Sequence, residues 1–70
     1  MQQVTEAEFN AILASAEREN EERASVGLEP LTVTTKNYGS VAGGGELVEY
    51  HFGGSMFGFV QNGVHYSNGL

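Results

Sequence analysis

Two histidines, His51 and His65, together with Ser55 and nine glutamates, are the side chains in this 70-residue sequence best suited to acid–base, nucleophilic or metal chemistry. Cysteine and aspartate are absent, which narrows the metal ligands to those histidines and glutamates. A zinc ion needs its ligands at about 2 Å. The hairpin register derived below sets His51 and His65 about 16 Å apart on one sheet face, too far for one ion within a single chain. Ser55 follows Gly53-Gly54, close to His51, with Glu49 two residues before the histidine. That order superficially matches a nucleophile, a base and an orienting acid, but a working set also needs a rigid frame and an oxyanion hole. A hairpin turn beside an exposed histidine accounts for the same residues. Paired-carboxylate chemistry needs a cleft that raises one pKa, and one helix on a small sheet offers none. Gly43-Gly44-Gly45 is followed by Glu46 instead of the Lys-Ser/Thr of a phosphate loop. No catalytic residue, cofactor or metal site is therefore assigned, and the chain is not expected to be an enzyme.

Charge points elsewhere. Nine Glu against two Arg and one Lys give a net charge of −6, and seven of the nine Glu precede Pro30. Nucleic-acid binding requires the opposite sign, because Lys and Arg must neutralise phosphates. Anionic membrane surfaces are disfavoured for the same reason. An acidic chain suits a protein partner with a basic surface, and the attraction speeds encounter. Solubility alone is the other use of such charge. No apolar run approaches the roughly 20 residues of a membrane span, and Met1-Gln2-Gln3-Val4 does not open a signal peptide. A cytoplasmic location is expected.

The elements that must carry these residues are legible. Thr5-Glu6-Ala7-Glu8 has the form of a capping box, with Val4 and Phe9 as a hydrophobic staple. A helix is expected over about 5–25, with Gly27 as the C′ residue and Pro30 as a stop. Its apolar stripe, Phe9, Ile12, Leu13 and Ala16, fills only the first half, and the same face continues into the polar Asn20 and Arg23. The second half, Glu17 to Arg23, holds four Glu and two Arg. A helix of about 30 Å outruns a strand of about 20 Å. Its last two turns therefore overhang the sheet, either against a partner or as a solvated end supported by pairs such as Glu19–Arg23.

Strands are expected over about 31–38, 46–52, 56–61 and 64–67, with the glycine-rich stretch 39–45 as a loop. Gly53-Gly54 and Asn62-Gly63 suit two-residue hairpin turns. Taken as regular hairpins, both turns place Val48, Tyr50, Phe52, Phe57, Phe59, Val64 and Tyr66 on one face. The helix stripe covers that face, with Leu31 and Val33 completing the core. The fold class is α+β, one N-terminal helix on a three- or four-stranded antiparallel meander. The other face then carries Leu47, Glu49, His51, Met56, Gly58, Val60 and His65, uncovered and semi-apolar. Such a face is either an interaction surface or an ordinary solvated one.

A short, glutamate-rich, cysteine-free chain with one helix and a small sheet resembles the anti-CRISPR proteins of phages and mobile elements. The resemblance lies in general build over the whole chain. It implies an inhibitor that binds a Cas protein or complex by occupying a basic nucleic-acid-binding surface. On this reading the partner-binding residues are Glu17, Glu19, Glu21 and Glu22 on the helix, then Glu46, Leu47, Glu49, His51, Met56 and His65 on the sheet. The alternative is a self-associating module, a homodimer through the outer sheet face or an edge strand.

Overall fold

The computed structural model describes residues 1–70. Its elements run β1 (Gln2–Val4), α1 (Glu6–Ser25), β2 (Val33–Val41), β3 (Gly45–Phe52), β4 (Ser55–Gln61) and β5 (Val64–Ser67). The helix starts where the capping box predicts. The Glu8 N–H donates to the Thr5 hydroxyl at 3.0 Å, and the Thr5 N–H donates to the Glu8 carboxylate at 2.9 Å. Those bonds, first the Thr5 backbone N–H and then its side chain, hold the Glu8 carboxyl below its ordinary pKa. A carboxylate lowered in this way gives its full contribution above the ordinary carboxylate range, and loses it as pH falls through the lowered value. At the other end Leu28 N–H reaches the Arg23 carbonyl at 2.8 Å and Gly27 N–H the Ala24 carbonyl at 3.1 Å, with Gly27 as the C′ residue. Thr5→Ala removes one half of the box and is expected to cost about 1 kcal/mol. That is a fall in the thermal midpoint of about 4–8 °C, readable by circular dichroism, and an unchanged midpoint would mean the box is not formed.

The strands form one antiparallel sheet in the order β1-β5-β4-β3-β2. The α+β helix-on-meander architecture stands, with one strand more than the sequence pattern indicates. Residues 2–4 add β1 to the sheet edge, pairing Gln2 with Ser67, Gln3 with Tyr66 and Val4 with His65. Gln2 and Gln3 are polar and exposed, so three residues offer no alternation to read. β2 also runs further than expected, through Gly39-Ser40-Val41. Its register shifts between Asn37 and Gly39, leaving Tyr38 as the extra residue. The Asn37 side chain accepts the Gly39 N–H at 2.7 Å and holds that bulge.

Both hairpin turns form as expected, with positive φ at Gly53 and Gly54 and at Asn62 and Gly63. The faces do not. His51 pairs with Met56 as predicted, but Tyr50 then pairs with Gly58, leaving Phe57 as an extra residue on β4. This β-bulge flips everything beyond it. Gly58, Val60 and His65, expected on the outer face, lie on the helix side. Phe59, Val64 and Tyr66, expected in the core, lie on the outer face. The cause is Gly58. A Cβ there would sit 2.7 Å from the Tyr66 carbonyl oxygen and 2.8 Å from Cε2 of Phe9. The helix thus packs directly on bare backbone at Gly58, and Phe57 fills the space beside it. The Phe57 carbonyl accepts from the Ser67 hydroxyl at 2.7 Å and from the Asn68 N–H at 3.1 Å, so the bulge leaves no stranded acceptor.

Phe9 is the centre of the core. Its ring meets Tyr50 edge-on at 5.0 Å, His65 at 5.1 Å and Phe57 at 6.2 Å. The polar continuation of the helix stripe is used as well. Asn20 donates to the Leu31 carbonyl at 2.9 Å and accepts the Leu31 N–H at 2.8 Å. Arg23 Nε donates to the Glu29 carbonyl at 2.7 Å. The expected Glu19–Arg23 pair does not form, because Arg23 is turned onto this returning segment. The core is nonetheless thin. Five of 70 residues are buried, and the exposed surface is 4610 Å², against about 4250 Å² for a compact monomer of this mass. The radius of gyration is 13.3 Å, against about 11 Å expected for this length.

Candidate protein-binding surfaces

Two surfaces lie on opposite sides of the sheet. The first is the second half of α1, where Glu17, Glu19, Glu21 and Glu22 are all exposed. Helical spacing spreads them around the solvent side, while Asn20 and Arg23 face the chain returning to β2. None of these carboxylates is neutralised, since the one ion pair in the protein is Glu49–His51 on the far side of the sheet.

The second surface is the outer sheet face. Along β3 it presents Leu47, Glu49 and His51, because Tyr50 between them points at Phe9. Met56 pairs with His51 and is 42% exposed. The bulge adds two residues that a regular hairpin would bury. Phe59 pairs with both Glu49 and Tyr66, and its ring stacks on Tyr66 at 4.7 Å and 19°. Glu49 is the polar centre. It accepts from His51 Nε2 at 3.1 Å and from the Tyr38 hydroxyl at 3.1 Å. The His51 bond does most to hold its carboxyl below the ordinary range, burial opposes it, and the Tyr38 bond adds a lesser lowering. Lys36, the cross-strand partner of Glu49, lies over the Tyr38 ring at 5.1 Å.

Two expected sheet residues are not on this surface. His65 packs against Phe9 beneath the helix. Glu46 is exposed at the start of β3 but alternates with Leu47, so it points to the helix side. The two histidines are thus on opposite faces. Ser55 pairs with Phe52 and sits on the helix side, away from His51. The glycine inside β4 is the available signal for the outward-facing, half-buried Phe59–Tyr66 stack, since glycine within a strand commonly marks a bulge or a close backbone approach.

One open groove of about 360 Å³ runs between α1 and the β1–β5 edge, lined by Gln2, Val4, Ile12, Ser67, Asn68 and Gly69. It holds no titratable side chain. No group of three or more potential metal-ligating side chains converges anywhere in the chain. No helix is long and apolar enough to cross a membrane. No family model matches the sequence, and neither a curated protein nor a solved structure matches it.

Proposed function

We propose that this chain works by binding a basic protein surface through the acidic half of α1, and that it inhibits the partner by occupying a surface that otherwise takes nucleic acid. A Cas protein or its complex is the partner class that the general build suggests. The observation that carries this reading is the set of unpaired carboxylates Glu17, Glu19, Glu21 and Glu22, exposed on a helix that is firmly capped and clasped. A rigid array is favoured over a flexible one, because less conformational entropy is lost on binding. The test compares the parent chain with E17K/E19K/E21K/E22K, both immobilised, against a lysate from cells expressing a CRISPR–Cas system, at low and high salt. At about 0.5 kcal/mol per exposed charge, the quadruple reversal is expected to weaken capture of the Cas component by about 30-fold or more. Retention should also fall as salt rises. Capture that is indifferent to both the reversal and the salt would overturn this reading.

A further inference from the structure

The outer sheet face mixes apolar and polar side chains and is covered by no other element of the chain, and its charge says what fits it. The whole net charge of −6 lies elsewhere. Residues 6–29 carry seven Glu and two Arg, and Glu46 points to the helix side. The outer face holds Lys36 and Glu49, which cancel, and His51. A basic partner is drawn to the helix side and finds no complement here. A second copy of the same chain does, because this face is neutral and carries the exposed Met56 beside the half-buried Phe59, Tyr66 and Leu47.

We infer that two copies associate face to face through this surface, giving a helix–sheet–sheet–helix dimer centred on Phe59 of the middle strand β4. Three further observations support a copy as the occupant. The first is area. Strands of 3, 9, 8, 7 and 4 residues, at about 3.3 Å per residue and about 4.8 Å apart, present roughly 500 Å² of plan area. Two such faces reach about 1000 Å² before side-chain relief is counted, the lower bound of a specific interface. The second is charge separation. Sheets stack about 10 Å apart, so this arrangement puts the two acidic helices on opposite outsides. They are then separated by several times the roughly 8 Å Debye length, whereas any helix-to-helix contact brings them together. The third is the thin core, which leaves the monomer with more exposed surface than its mass predicts. An edge-to-edge dimer along β2 is opposed by the bulge at Tyr38 and by the charge of Lys36 on that strand.

Sedimentation equilibrium of the full chain from micromolar concentrations to about 100 μM tests this, and it does not depend on the acidic helix having a partner. The parent is expected to be a dimer in that range. Met56→Glu and Lys36→Glu each alter only exposed side chains. Each is expected to lower the association constant at least tenfold, with the circular dichroism spectrum unchanged. The charge swap K36E/E49K restores neutrality and is expected to recover most of the association lost in K36E, which a merely structural role for Lys36 would not do. E19K/E21K on the helix is expected to leave the dimer intact. A strict monomer at about 100 μM, or a dimer that survives both Met56→Glu and Lys36→Glu, overturns the proposal.

Discussion

Phe9→Ala leaves most of the protein unfolded at 25 °C. Phe9 is the largest fully buried side chain, only 2% exposed, and its ring is the one that touches Tyr50, Phe57 and His65 together. Truncating a buried phenylalanine costs about 3–5 kcal/mol. A 70-residue domain has about 4–10 kcal/mol in total, and one with only five buried residues belongs near the bottom of that range. Few other side chains can collapse into the space, because the position opposite is Gly58, which has nothing to offer. Urea denaturation followed by circular dichroism is the measurement. Phe9→Leu keeps most of the volume and is expected to cost only about 1.5 kcal/mol. A Phe9→Ala protein with near-parental stability would show that the helix is not seated on the sheet at this residue.

The second large effect is expected at a residue with no side chain. Gly58→Ala places a methyl group 2.7 Å from a backbone oxygen and 2.8 Å from the Phe9 ring. Neither obstacle is the loose end of a flexible side chain. Either the β4–β5 ladder or the helix must move, and overpacking of this kind costs about 1–3 kcal/mol. The two substitutions share an atom. Paired with Phe9→Leu, which stays folded and removes the ring atom in the way, Gly58→Ala is expected to give a combined loss that falls short of the sum by about 0.5 kcal/mol or more. The same denaturation series measures that coupling, and strict additivity would mean that β-pairing alone holds the Gly58 backbone in place, with no role for helix contact.

The parts of the fold written in local chemistry are legible without coordinates. Thr5 and Glu8 announce the helix start, Gly27 its end, and Gly53-Gly54 and Asn62-Gly63 the hairpins, since caps and turns depend on a few neighbouring residues. The side assignment beyond Met56 is not legible in the same way. One extra residue at Phe57 reverses the remainder of β4 and β5, and its reason is a contact with Phe9, nearly fifty positions earlier in the chain. Period-two reading assumes an unbroken pleat, so it hid the Phe59–Tyr66 stack and misplaced His65. The exposure of Glu17, Glu19, Glu21 and Glu22 on the helix is legible because a polar helix face needs no tertiary information. Asn20 and Arg23 were visible as polar interruptions of the stripe. Their role as a clasp on Leu31 and Glu29 depends on where the return loop passes, which spacing alone does not encode.

Segregating every uncompensated charge on one side of a flat molecule has a consequence for how it moves. In a single copy the net charge lies to one side of the sheet, which gives it an electric dipole moment directed across the sheet. In the field of a cationic wall it feels a torque and arrives helix-first, so productive orientation precedes touch and speeds capture. Two copies joined back to back cancel their dipoles. Such a pair, with twice the charge, would be attracted more strongly but no longer turned, and it would present an equivalent acidic end in either direction, able to bridge two cationic surfaces at once.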